Sequence, residues 1–412
     1  MRIAFVNSVA GYGSTGKLVE LLAGAEDTES RIYYGRKSAA LDFKGAKKKA
    51  VQDSGHHYFG SGVSFTKHMI STFLLDNHGF SSTAETKQMI EDLKDFEPDI
   101  VHLHNLHGYY VNTQLLFDYL RESNVKVIWT FHDCWAFTGH CAHYTSVHCD
   151  RWKEGCHDCA AWNHYPPTWN TKRSDYNWHR KKEQFTSLDK DRMTIVTPSR
   201  WLKEQVEESF LKEWPVVVIP NGIDLSIFHR TETDLRKQYG LESRFIILAV
   251  AGQWTREKGS EDLIQMAEQI PDDSVLVVIG AAGSLARKLN HENVIVIERT
   301  ENASQLAQWY SCADVMVNPT REDTFPTVNI EAQACGCPVV TYNTGGSPEI
   351  LSAGTGIIVP AENLDRMMEA IERLRTGETT IKAEDCIRNA AQYSREAMLE
   401  QYRCLYDEVM EK

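Results

Sequence analysis

The sequence predicts an α/β protein built from two doubly wound halves in tandem. Three observations carry this reading. Short β-rich runs alternate with longer amphipathic stretches, the alternation restarts midway along the chain, and 412 residues leave room for two cores. In the first half, residues 3–6, 100–103, 125–130 and 194–197 read as strands buried on both faces of a parallel sheet, with helices between them. The series resumes at 245–251 and continues through 275–279, 294–297, 315–318 and 339–342. Between the halves, a strand at 216–219 runs into Pro220-Asn221-Gly222, a turn suited to an interdomain hinge. The expected organisation is an N-terminal domain over 1–218, a C-terminal domain over 219–392, and a last helix over 393–412 that packs back towards the first domain.

The opening run, Met1 to Asn7, is too short for a signal peptide and reads as the first buried strand. No stretch of about eighteen apolar residues is present to cross a bilayer as a helix. A cytoplasmic location is therefore expected. The formal charge of −13, from 44 Lys and Arg against 57 Asp and Glu, argues against a general nucleic-acid binder. Two local basic runs, Lys44 with Lys47 to Lys49 and Arg180 to Lys182, suit either peripheral contact with anionic lipid at the inner face of the cell membrane or a solvated charged face.

After the first strand, Gly11-Tyr12-Gly13-Ser14-Thr15-Gly16-Lys17 opens a helix and approaches two phosphate-binding patterns without meeting either. A P-loop needs Ser or Thr after the lysine, where Leu18 stands. A dinucleotide site needs an acid after the second strand, where Gly35-Arg36-Lys37 follows Ile32-Tyr33-Tyr34. Glycines at a helix start still let a backbone approach an anion or a sugar closely, so the loop is either such a contact or a tight packing turn.

The most informative stretch is 314–349. A strand ends at Pro319, and Thr320-Arg321-Glu322-Asp323-Thr324-Phe325-Pro326 leads into a helix carrying Glu331, which Gly336 and Pro338 terminate. Asp323 on the loop and Glu331 about one turn into the helix place two carboxylates near the free amides expected from about Thr327 to Asn329. Carboxylates suit sugar and ribose hydroxyls, and amides with a lysine suit phosphates.

Glu322-Asp323 to Glu331-Ala332, Cys335-Gly336-Cys337-Pro338-Val339-Val340 and Thr344-Gly345-Gly346-Ser347-Pro348-Glu349 resemble the donor site of family-four retaining glycosyltransferases. Val218 to Asp224 with Phe228, Gly252 with Lys258-Gly259, and Ser199 to Leu202 extend the likeness over nearly the whole chain. The resemblance implies the GT-B architecture, two Rossmann-like domains facing a central cleft, with donor binding in the second domain and the acceptor side in the first. It implies transfer of a hexose-type sugar from a UDP- or GDP-linked donor to a glycan or lipid-linked acceptor in polysaccharide biosynthesis, with retained configuration and no cofactor required for catalysis. His132, Asp323 and Lys258 are the implied catalytic residues. Glu331 would bind the ribose, Asp323 the transferred sugar, Lys258 the diphosphate and His132 the reacting sugar region, with Gly13 facing the phosphates. Gly252, Gln253, Arg256, Phe325, Thr327 and Val328 complete the implied donor site, with the base near Arg299 and Thr300.

Three positions depart from the family pattern. Asp323 stands where Glu is usual. Gln253 replaces an Arg that commonly joins the lysine, a task Arg256 is expected to share. Pro326 replaces a glycine and brings no amide proton. Two rival readings of the same architecture are a sugar-nucleotide epimerase and a non-enzymatic nucleotide-sugar sensor.

An insert at about 134–170 needs its own explanation. Cys141, Cys149, Cys156 and Cys159 crowd into it beside His140, His143, His148 and His157, and the last pair has the spacing of a zinc knuckle. It reads as a structural zinc site, as a cluster of reduced thiols, or as disulfides in an oxidising compartment. Its aromatic residues, Trp135, Tyr144, Trp152, Trp162, Tyr165 and Trp169, suit either sugar stacking near an acceptor or a small core.

Overall fold

A computed structural model describes residues 1–25, 28–37 and 55–411. The Lys44 and Lys47 to Lys49 run lies outside the described residues. The contacts divide the chain into two compact units, Met1–Ile219 with Leu399–Lys412, and Pro220–Met398.

The first unit holds a seven-stranded parallel sheet of β1 (Arg2–Asn7), β2 (Glu29–Tyr34), β3 (His56–Tyr58), β4 (Ile100–Leu103), β5 (Lys126–Thr130), β6 (Met193–Thr197) and β7 (Val216–Val218). Its order is β3-β2-β1-β4-β5-β6-β7. The second unit holds a six-stranded parallel sheet of β8 (Phe245–Val250), β9 (Ser274–Ile279), β10 (Val294–Ile297), β11 (Val315–Asn318), β12 (Val339–Tyr342) and β13 (Gly356–Val359), in the order β10-β9-β8-β11-β12-β13. Both sheets are doubly wound.

Strand alternation explains why these runs are apolar throughout. Successive side chains point to opposite faces, and helices cover both. In the second sheet Ile247, Ala249, Leu276, Val278, Val315 and Val317 join one core cluster. Their neighbours Ile246, Leu248, Val275, Val277 and Met316 join another. At roughly 25 cal/mol per Å² of apolar area, this two-sided burial is the main force fixing strand order and register.

At the centre of the first sheet, β4 breaks the apolar rule. His102 in the middle of β4 is fully buried, with Nδ1 2.9 Å from the Tyr406 hydroxyl and Nε2 2.8 Å from Thr130 Oγ1. Burial pushes its pKa down to about 3, so the ring is neutral and both nitrogens are satisfied. Tyr406 belongs to the last helix, Arg395–Glu411. The chain leaves the second unit between Met398 and Leu399, inside this helix, rather than at residue 393. The physical reason is that the helix start stays tied to the second unit: Ile223 N–H donates to Tyr393 O, Arg395 N–H donates to Ile223 O, and Arg395 pairs with Asp224.

The 180–182 run does not present three surface cations. Lys181 is 1% exposed, donates to the carbonyls of Trp135 and Thr138 at 2.7 and 3.0 Å, and lies over the Trp135 ring. Arg180 lies over Phe80. A buried lysine whose protons are spent on carbonyls contributes packing, so the lipid-contact reading of this run is corrected at Lys181. Among the described residues, no helix is long and apolar enough to cross a membrane.

Candidate active site

In an open parallel sheet the functional loops leave the carboxyl ends of strands, and a crevice opens where neighbouring strands send their connections to opposite sides. In the second unit that point is the β8/β11 boundary, because β8 leads on to β9 on one side while β11 leads to β12 on the other. The loop after β8 carries Gly252, Gln253, Arg256 and Lys258, and the loop after β11 carries Asp323.

These two loops meet. Lys258 Nζ lies 2.6 Å from Asp323 Oδ2 and donates to Glu322 O at 3.1 Å. The other Asp323 oxygen accepts the Phe325 amide at 3.1 Å. Backbone contacts fix the loops on either side. Gly259, at φ 84°, packs against Pro319, whose carbonyl would stand 2.4 Å from an added Cβ. Gly345, at φ 51°, packs against the Asp323 carbonyl, which a Cβ would meet at 1.8 Å, and Gly346 N–H donates to that same carbonyl. Thr344 Oγ1 closes the arrangement with a 2.7 Å bond to Thr320 O. Arg321, half-buried and 2.8 Å from Asp262, donates to Arg256 O at 3.0 Å and ties the two loops together.

The helix Thr327–Ala334 starts directly after this loop. Its first flanking residue is Pro326, which brings no side-chain cap; the Asn329 amide donates to the Pro326 carbonyl at 3.1 Å, and the amides of Thr327 and Val328 precede it at the helix start. Such a start favours an anion by its exposed N–H groups and its dipole. Glu331 sits one turn in. Its Oε2 accepts the Tyr310 hydroxyl at 3.1 Å and its Oε1 accepts Thr327 Oγ1 at 3.4 Å. Asn318 at the end of β11 donates to Asn329 Oδ1 at 2.8 Å and fixes the helix to the strand.

Not every residue of the implied donor site takes the expected part. Phe325 is buried beside Ile330 and Ile350 with its ring against Tyr393, and its amide is spent on Asp323. Its ring packs the core, so any part of Phe325 in donor binding would fall to its backbone. Arg256 is 75% exposed and pairs with Glu261 at 3.4 Å, along its own loop and helix. Gly252 and Gln253 are exposed. Arg299 and Thr300 follow β10, two strands from β8, with Arg299 exposed and Thr300 half-buried. Neither bonds to the Lys258–Asp323 pair among the described residues.

The first unit presents the same edge of its sheet differently. Gly13 begins the helix Gly13–Ala23 at φ 66° with open space where a Cβ would stand, whereas Gly16 packs against Val9. The loops after β4 and β5 bring four ionisable groups together. His132 Nε2 lies 3.0 Å from His104 Nδ1 with the rings stacked, and His107 Nε2 lies 2.5 Å from Asp133 Oδ2. Burial pushes His132 down to about 4, with the Asp133 carboxylate opposing it, and pushes His104 well below the usual imidazole range. Burial alone would raise Asp133. The charge and hydrogen bond of His107, aided by His143 and the Trp135 amide, outweigh it and hold the carboxyl at about 2. These loops therefore combine a neutral imidazole pair with a carboxylate hydrogen-bonded to His107.

His104 and His107 were not singled out from the sequence. The signal was available: His102, His104 and His107 leave one strand at the β1/β4 boundary, where the first sheet reverses its winding. Within the insert, Trp135, Tyr144 and Trp152 are buried core and Trp162, Tyr165 and Trp169 are exposed.

Comparison with known proteins agrees with this geometry. Residues 52–227 match the model of Glycosyltransferase Family 4, and residues 231–393 match that of Glycosyl transferases group 1. WcaC of Escherichia coli K12, named for colanic acid biosynthesis as a glycosyl transferase, is 25% identical over 75% of this chain and 76% of its own. A D-inositol 3-phosphate glycosyltransferase of Mycobacteroides abscessus is 31% identical over 38% of each chain. Among solved structures, sucrose-phosphate synthase of Thermosynechococcus elongatus superposes with a TM-score of 0.68 at 17% identity, over 99% of this chain and 98% of its own. Anabaena Alr3699/HepE in complex with UDP gives 0.67 at 14% identity, over 99% and 100%. The chain belongs to the family-four glycosyltransferases and has their GT-B fold of two Rossmann-like domains.

Proposed function

We propose that this glycosyltransferase moves a hexose-type sugar from a nucleotide-diphosphate sugar to a glycan or lipid-linked acceptor in polysaccharide biosynthesis, with retained configuration. The observation that carries the donor reading is the Lys258–Asp323 contact beside an uncapped helix start that also bears Glu331. A diphosphate would take Lys258 and the Thr327 and Val328 amides. The freed Asp323 carboxylate would then accept from the hydroxyls of the transferred sugar, and Glu331 from the ribose. WcaC, named for colanic acid biosynthesis, supports a role in glycan biosynthesis, and Alr3699/HepE was solved with UDP and with UDP-glucose, which makes UDP-sugars the first donors to test.

In this reading the leaving group departs as a nucleoside diphosphate, and its growing charge is met by Lys258 and the helix amides. The acceptor hydroxyl attacks the anomeric carbon from the side the phosphate leaves, the glycosidic bond to phosphate breaks, and the phosphate oxygen takes the hydroxyl proton. No residue is assigned as a nucleophile. The neutral imidazole of His132 is suited to hydrogen-bond a sugar hydroxyl without adding charge.

The test is calorimetric. Wild-type protein titrated with UDP-, GDP- and ADP-sugars should bind one nucleotide class, and Glu331→Ala should abolish that binding while melting as wild type does. Unchanged donor affinity in the variant overturns the assignment. Nucleotide release that requires an acceptor separates transfer from epimerisation and from sensing, neither of which family membership favours.

A further inference from the structure

The insert that follows His132-Asp133 is held by little regular structure. Between residues 134 and 170 it forms three single turns of 3-10 helix, Trp135–Phe137, Thr145–Val147 and Arg151–Lys153, and no strand or α-helix. Within it Cys141, Cys149, Cys156 and Cys159 line one cavity of about 20 Å³ together with His140 and His157. None of the four is in a disulfide. The volume suits one ion-sized body. Tyr144, Arg151, Trp152 and Ala161 complete the lining.

Two further observations point to an occupant. The first is an amide donor on sulfur: Gly139 N–H donates to Cys156 Sγ at 3.1 Å. Amides aimed at sulfur stabilise a thiolate more than a thiol, because a charged acceptor makes the stronger bond. The second is His140. It is 2% exposed, its Nδ1 lies 2.6 Å from Asp76 Oδ1, and its Nε2 is buried without a partner. A carboxylate on one ring nitrogen and an unspent second nitrogen beside a thiol-lined cavity is the arrangement found around bound metals.

We propose that Cys141, Cys149, Cys156 and Cys159 bind a structural zinc ion that staples this insert. Among the described residues the side chains ring the cavity without three of them converging on a common point. Loading therefore draws the sulfurs inward to Zn–S distances of about 2.3 Å in a tetrahedron. Each thiol that binds gives up its proton to solvent, and no electron is transferred. An all-sulfur set selects zinc over magnesium or calcium, which prefer oxygen. His140 stands beside the site with Nε2 for a bound thiolate or for the ion's outer shell. The ion would fix a segment whose first residues are Cys134 and Trp135, and the Trp135 amide already donates to Asp133 at 2.9 Å.

The experiment uses the whole chain, expressed with zinc and purified without chelator, and reads metal content by mass spectrometry. One zinc per chain is expected. Replacing it with cobalt should give the thiolate charge-transfer and d–d bands of a tetrahedral sulfur site. Cys156→Ser with Cys159→Ser should lose the ion, and Cys404→Ser, an exposed cysteine outside the insert, should keep it. Chelator treatment of wild type should lower its melting temperature and expose the four thiols to a thiol reagent. Folded wild type free of zinc overturns the proposal, as does a cobalt form without charge-transfer bands or a mapped disulfide within the cluster. The wild-type measurements stand even where the double variant fails to fold.

Discussion

The two sheets are wound alike, yet they hold their post-strand loops by different means. In the second unit the loops after β8, β11 and β12 are locked backbone to backbone, with Gly259 against Pro319 and Gly345 against Asp323. Charged side chains are thereby left at the rim. In the first unit the loops after β4 and β5 are held by side chains, through the His104–His132 and His107–Asp133 contacts and the stack of His102 on His104. A backbone lock fixes a position while leaving a lysine and two carboxylates to meet a charged ligand. A side-chain lock spends its polar groups on one another and yields a wall that is polar but mostly neutral.

The largest expected effect probes the rim. Lys258→Ala removes the cation proposed for the leaving diphosphate and should lower kcat by about 10² to 10³, the usual cost of one charge-stabilising donor, as read by nucleotide release with acceptor present. A loss confined to KM would move Lys258 from the reacting end of the donor to its periphery.

Next comes the backbone lock. Gly345→Ala places a Cβ 1.8 Å from the Asp323 carbonyl in a left-handed conformation, a strain of roughly 1–3 kcal/mol. If the loop yields, donor binding should weaken about 10- to 100-fold by calorimetry. Wild-type affinity would mean that the lock positions nothing.

The side-chain lock is tested through pH. The Asp133 carboxyl is held at about 2 when folded, below the unfolded value of about 3.9. Its contribution is complete above about pH 4 and is lost as pH falls through 2, roughly 2 kcal/mol in all. Asp133→Asn should flatten melting temperature against pH across that acid window. Parallel curves for variant and wild type would contradict the ion pair.

The smallest effect belongs to Arg256→Ala. An exposed pair with Glu261 is worth about 0–1 kcal/mol, so donor affinity should change less than about fivefold. A larger loss would place Arg256 on the diphosphate.

The same contrast explains what could be read in advance. The double winding was legible because buried parallel strands must be apolar on both faces. β3 and β13 were not, since His56-His57-Tyr58 and Gly356 to Val359 are short edge segments without that constraint. The loops after β8 and β12 were legible because backbone locks demand glycine and proline at fixed positions, as in Lys258-Gly259 and Thr344-Gly345-Gly346. Packing escaped the motif, so Phe325 was read as a ligand contact although its ring fills the core. Lys181 was read as a surface charge because a basic run does not reveal which member points inward. His104 and His107 went unweighed because side-chain locks between distant loops follow no spacing rule.

The most direct measurement is a crystal structure of the protein with a nucleoside diphosphate from the class that calorimetry selects. The account predicts Lys258 Nζ and the amides of Thr327 and Val328 on the phosphates, Asp323 released from the lysine, and both ribose hydroxyls on Glu331. Nucleotide bound elsewhere, or bound with Lys258 still paired to Asp323 and Glu331 turned from the ribose, would contradict it.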